Sequence, residues 1–206
     1  MKKVITLTLL FIGTLGFAQD KYTDGMQKAF QFWGEGKISE ASNLFERISS
    51  AELDNWLPAY YASQVNTVAS FGEKDMDKLT RQLEKAQELV DIAKAISPNN
   101  PEILVQQALI HTAWVAYDGA TYGMTLSGKV SALYQKALQL DPNNPRVVFS
   151  KAEWDMGSAK FFGQDIAPYC KDVEHALELF ANFKPASAFH PNWGKERAEE
   201  IVKNCK

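Results

Sequence analysis

The sequence is poor in the side chains that most often carry chemistry. Of its 206 residues only three are histidine and two are cysteine. His111, His175 and His190 stand far apart, with no His-Glu-x-x-His pattern and no paired cysteines beside them, so a metal site is not supported. A Gly-x-Ser-x-Gly elbow is absent, and neither cysteine has a basic partner nearby, which removes the usual signatures of nucleophilic catalysis. Asp75 with Asp77, and Glu199 with Glu200, read as solvated charges on helix surfaces rather than as hydrolytic pairs. Lys and Arg form no block, and phosphate neutralisation needs a clustered basic face, so nucleic acid is not an expected partner. No stretch of strict polar and apolar alternation suggests a strand. The chain reads as a non-enzyme without cofactor or metal.

One segment imitates a phosphate-binding loop. Gly123-Met124-Thr125-Leu126-Ser127-Gly128-Lys129-Val130 matches at both glycines and the lysine, but Val130 stands where a hydroxyl must hold magnesium. The preceding Trp114-Val115-Ala116-Tyr117 reads as helix where a strand is required. The segment is expected to be a flexible loop between helices.

Long apolar runs are also missing. The longest, Val4 to Phe17, falls short of the roughly 20 residues that a helix needs to cross the hydrocarbon core. Preceded by Lys2 and Lys3 and closed by Gly16-Phe17-Ala18, it reads as a signal peptide over residues 1–18, cleaved after Ala18. No cysteine follows to carry a lipid, so the mature chain is expected in the periplasm or outside the cell, without stable membrane insertion. Its loss takes two of 22 basic side chains, leaving 20 against 25 acidic and a net charge of -5. Eighteen fewer than 206 residues leaves 188, enough for one domain or a short repeat array. In an oxidising compartment Cys170 and Cys205 are a candidate disulfide, which would stabilise by about 4 kcal/mol at most. The alternative is two separate thiols.

What the chain has in quantity is helical periodicity. Apolar residues recur at helical spacing from Tyr22 onward, interrupted by regular Gly, Pro and Asn breaks. The breaks predict helices near 22–34, 37–50, 57–71, 75–97, 101–118, 127–140, 145–158, 165–182 and 192–204. Pro101 and Pro145 suit a first helical position, with Asn100 and Asn144 as caps. The two Pro-Asn-Asn-Pro turns, beginning at Pro98 and Pro142, play the same part 44 positions apart and expose an internal repeat.

Residue spacing around these turns resembles the tetratricopeptide repeat. In the first unit Ala29, Phe32, Gly36, Ala41, Phe45 and Ile48 follow that family's steps of small and aromatic residues, with Ile48 where the family shows Ala. The second offers Val65, Val68, Gly72, Ala86, Val90, Ala93 and Pro98, with nine extra residues that imply a long second helix. A third keeps Ala108, His111, Tyr134, Ala137 and Pro142 with ten extra, and a fourth keeps Ala152, Ala159, Ala176, Phe180 and Phe183. His111 thereby takes an aromatic packing slot.

The resemblance implies an all-α fold: antiparallel helix pairs stacked as a short right-handed superhelix, a TPR-like α-solenoid. It divides the chain into a repeat domain of about four helix pairs over 19–191 and a C-terminal capping helix over 192–206, with Trp193, Ala198, Ile201 and Val202 facing inward. It also implies a concave groove lined by the first helix of each pair. Met26, Phe30 and Trp33 map there from the first unit, and Asn66 from the second. Leu109 and Thr112 come from the third, and Arg146, Phe149 and Glu153 from the fourth. Such a groove suits a protein or peptide partner in the cell envelope, making the chain an exported adaptor. The alternative is a small-molecule carrier or an enzyme with a pocket under a 118–128 loop; the aromatic run Trp114, Tyr117 and Tyr122 leads into that loop, which could fold over the groove as a lid or pack on the neighbouring long helix. End-to-end self-association is a third expectation.

Overall fold

The computed structural model describes residues 21–205. The expected signal peptide lies outside the described residues. Among those described, nine helices follow one another without a strand. They are α1 (21–34), α2 (Ile38–Ala51), α3 (Trp56–Ser70), α4 (Met76–Ile96), α5 (Pro101–Tyr117), α6 (Gly119–Leu140), α7 (Pro145–Phe161), α8 (Ala167–Asn182) and α9 (Lys195–Asn204). None of the described helices is long and apolar enough to cross a membrane.

Short polar side chains start most of these helices. Asn55, Asp75, Asn100, Asp118 and Asn144 each accept a hydrogen bond from a backbone N–H of the turn that follows, satisfying donors that have no partner within the helix. Pro101 and Pro145 open α5 and α7, where a missing N–H costs nothing. The turns thus join helices as the sequence predicts.

One connection differs from the expectation. Residues 119–128 are not a loop but the first turns of α6, so the segment from Gly123 to Val130 is helical throughout. The Asp118 carboxylate accepts from the N–H groups of Ala120 and Thr121 and from the Thr121 hydroxyl, which nucleates the helix well before the point that the glycines suggest. Nothing surrounds Gly123 or Gly128 within reach of an added Cβ. Each glycine there costs about 1 kcal/mol of propensity, and packing along α5 offsets it.

The helices stack as pairs. α3 packs on α2 and α4, α5 on α4 and α6, and α7 on α6 and α8, while α3 also touches α5 and α5 touches α7. Odd-numbered helices therefore form an inner layer and even-numbered ones an outer layer, a helix-pair solenoid. Small residues let the layers approach: Ala41, Ala86, Ala93, Ala108, Ala137, Ala152 and Ala176 are all buried. Phe45, Tyr134 and Phe180 fill the spaces beside them, whereas Val68 faces solvent. α4 is long, at 21 residues, and α6 is longer, at 22.

At the end of the array α9 buries Ala198 and Ile201 in a cluster with Phe149, Val173 and Ala176, covering the last apolar surface. It begins three residues later than predicted, at Lys195, because Gly194 takes a left-handed conformation, φ 106°, against the rings of Phe180 and Phe149. A Cβ there would come within 3.1 Å of Phe180. Trp193 consequently lies outside the helix in which it was expected. Cys170 and Cys205 are joined, with Cα atoms 6.0 Å apart, so the start of α8 is tied to the end of α9.

Candidate functional site

Polar joints fasten the inner helices to one another and to the outer layer. Asn66 on α3 donates to the Ser42 hydroxyl of α2, 2.8 Å away, and Gln106 on α5 donates to Ser63 and Thr67 of α3. Between α5 and α7 the joint is ionic: Arg146 Nε donates to Glu102 at 2.8 Å, a second guanidinium nitrogen completes the fork, and Asn144 adds a bond of 2.7 Å. Both charged side chains are buried. These joints set the inner helices side by side and leave a surface of α1, α3, α5 and α7 facing one way.

That surface is covered by the chain itself. Residues 183–194, between α8 and α9, contain no helix and cross the inner face from α7 back to α1. Phe183 lies over the Arg146 guanidinium at 4.3 Å. His190 reaches Glu102 of α5 and Trp56 of α3. The Tyr61 hydroxyl donates to the Phe189 carbonyl at 2.9 Å, Trp193 Nε1 donates to the Tyr60 hydroxyl at 2.8 Å, and Phe189 meets Tyr22 and Phe30 of α1. The segment is a strap, held at one end by α8 and at the other by α9 and its disulfide.

Between strap and inner face remains a cavity of about 380 Å³. Its walls are Phe30 and Trp33 of α1, Tyr61 of α3, and Phe189, His190 and Trp193 of the strap. The Phe30 ring lies nearly parallel to Trp33, 20° apart, and to Phe189, 14° apart, so three aromatic planes share one orientation. Gln64 also lines the cavity, and its Oε1 is buried without a hydrogen-bond partner. Burial and the nearby Glu102 carboxylate push the Tyr61 phenol far above its ordinary range. Burial holds the His190 imidazole below its usual value; Glu102 opposes this and Arg146 adds to it. The site therefore presents parallel apolar faces and one neutral imidazole.

The fold is similar to that of the HusA haemophore from Porphyromonas gingivalis. The superposition reaches a TM-score of 0.78 over 90% of this chain and 92% of that one, at 21% sequence identity, which shows the fold. A thermophilic TPR protein from Thermus thermophilus aligns over 89% of this chain and 98% of its own, with a TM-score of 0.43 and 13% identity. No family model matches the chain, and no curated protein does.

The residues expected to line an open groove divide into three groups. Phe30 and Trp33 do stand at the cavity wall. Leu109, Thr112 and Glu153 are half-buried; Leu109 packs against the core cluster that holds Val105 and Tyr134, the Thr112 hydroxyl donates to the Ala108 carbonyl, and Glu153 accepts from Arg197 of α9. Met26, Asn66, Arg146 and Phe149 are buried and have no groove surface to offer. Their assignment is corrected for a physical reason: Asn66 and Arg146 are spent on joints between helices, and Met26 and Phe149 on the core. The pocket expected under a 118–128 loop is also displaced. A cavity of about 500 Å³ does reach Tyr117 and Asp118, but its other side is the 70–74 turn, and residues 119–128 are helical.

Tyr61, Gln64, Phe189, His190 and Trp193 were not anticipated as site residues. A signal for three of them was present, since a twelve-residue connection carrying Phe183, Phe189 and Trp193 is long and apolar for a surface turn. Tyr61 and Gln64 lie on a helix buried nearly all round, where periodicity cannot single out one face.

Proposed function

We propose that the chain is an exported, non-catalytic carrier of a flat, apolar small molecule of the haem or porphyrin class, bound between the strap and the inner face. The observation that carries this reading is the set of near-parallel rings at Phe30, Trp33 and Phe189, because a planar conjugated ligand gains most where aromatic faces lie parallel to its own. The fold shared with a haemophore supplies the ligand class to test first. The cavity lies at the small end of the roughly 300–1,000 Å³ range of ligand pockets, so the polar edge of a tetrapyrrole would stay in solvent.

We read the helix pairs as degenerate tetratricopeptide repeats whose groove has been filled by their own strap. The disulfide agrees with residence in an oxidising compartment.

The test is titration of haemin into the purified protein, followed by tryptophan quenching and the Soret band. Saturable binding with one molecule per chain is expected, weakened about tenfold or more in a Phe30→Ala, Trp33→Ala double variant of intact helicity. Absence of saturable binding, or binding indifferent to the double variant, would remove the reading.

A further inference from the structure

The cavity contains one side chain that an apolar carrier does not need. Of the three histidines, His175 lies exposed beside Glu178 and His111 packs by Gln107 on α5, while His190 alone lines the cavity. Its position is fixed on both sides. The His190 N–H donates to the Ser187 carbonyl at 3.1 Å, Tyr61 holds the preceding carbonyl, and Trp193, three residues on, is bound to Tyr60. The ring sits between Trp56 and Phe183, with centroids 6.1 and 6.0 Å away.

The imidazole also faces a buried carboxylate. Nε2 lies 3.9 Å from Glu102 Oε1, and that carboxylate is buried and locked by Arg146 and Asn144. That separation is beyond hydrogen-bond length, so the carboxylate acts on the ring through its charge: it favours a proton on Nε2, which leaves the lone pair on Nδ1. Among the described residues no cluster of three His, Cys, Asp or Glu side chains is placed to hold a bare metal ion. A single imidazole suffices only where the metal arrives already held by a macrocycle that supplies the remaining donors. Tyr61 does not compete, because its hydroxyl proton is committed to the Phe189 carbonyl.

We infer that the cavity prefers the iron-bearing tetrapyrrole over its metal-free form, with His190 as the axial ligand through Nδ1. This rests on the carrier reading above. His190 supplies the metal contact, and the rings supply affinity that both ligand forms share.

The experiment compares haemin with metal-free protoporphyrin IX on three chains: the parent, His190→Ala, and a His111→Ala, His175→Ala double variant that keeps only His190. Absorption and electron paramagnetic resonance report nitrogen ligation of the iron, and tryptophan quenching reports binding of either ligand. Expected are a nitrogen-ligated spectrum in the parent and in the double variant, its loss in His190→Ala, and haemin affinity about tenfold lower there. Protoporphyrin IX binding stays within about twofold in all three. If His190→Ala binds haemin with the parent's spectrum, the inference falls and the carrier reading stands. If neither ligand binds the parent, both fall. Should His190→Ala lose both ligands or fail to fold, the double variant decides: the signature retained supports His190, and its loss overturns it.

Discussion

Glu102 and Arg146 stand at the same place in two copies of one turn, each directly after the proline that opens a helix, and they pair with each other inside the protein. The two copies carry opposite charges at this place, and the pair locks α5 to α7. Asn144, which caps α7, spends its amide on the same carboxylate. A helix start, a repeat joint and the carboxylate behind His190 are thus one network.

Removing one member of this pair leaves an uncompensated buried charge. Arg146→Met or Glu102→Leu alone is expected to cost about 3–5 kcal/mol in urea unfolding, and the double variant much less than the sum. Additive losses would mean that the two charges act independently.

The disulfide closes a span of 35 residues that contains the strap. Reduction, or Cys170→Ala with Cys205→Ala, is expected to remove up to about 4 kcal/mol on the chain-entropy model. Amide exchange should rise first in 183–204, while α3 and α5 keep their protection. Uniform loss of protection would show that the bond supports the whole array rather than the strap and cap.

Gly123 and Gly128 sit in a helix with open space around them. Gly123→Ala and Gly128→Ala should each stabilise by about 0.5–1 kcal/mol, read as a raised thermal midpoint. A flexible loop at these positions would show no such gain.

Acid should weaken the fold through two histidines. Burial lowers the values of His111 and His190 below the ordinary 6.5, so the unfolded chain binds their protons more readily. Their contribution is complete above that ordinary value and is lost as pH falls through the lowered folded ones. Midpoints measured from about pH 8 to about pH 5 should decline, and less steeply in a His111→Gln, His190→Gln variant. An equal slope in that variant would place the sensitivity elsewhere.

The sequence by itself determined the helical class, the order of the helices and the two proline joints. These depend on local physics: capping side chains, a proline that fits a first turn, and small residues at helical spacing. The tetratricopeptide-like spacing also placed Phe30 and Trp33 where the cavity lies, together with Met26, which the core buries. Three glycines signal a break where α6 in fact begins, and the Asp118 cap together with packing along α5 carries the helix through them. Tertiary structure alone decided the site. Arg146 and Asn66 look like ligand handles until the neighbouring helices supply Glu102 and Ser42. The strap has no periodicity to read, so its return to α1 appears only once Tyr60, Tyr61 and Phe30 are brought together across more than a hundred residues of chain. A contact of that range leaves no local trace, because it is selected by the shape of a surface that does not exist before the pairs have stacked.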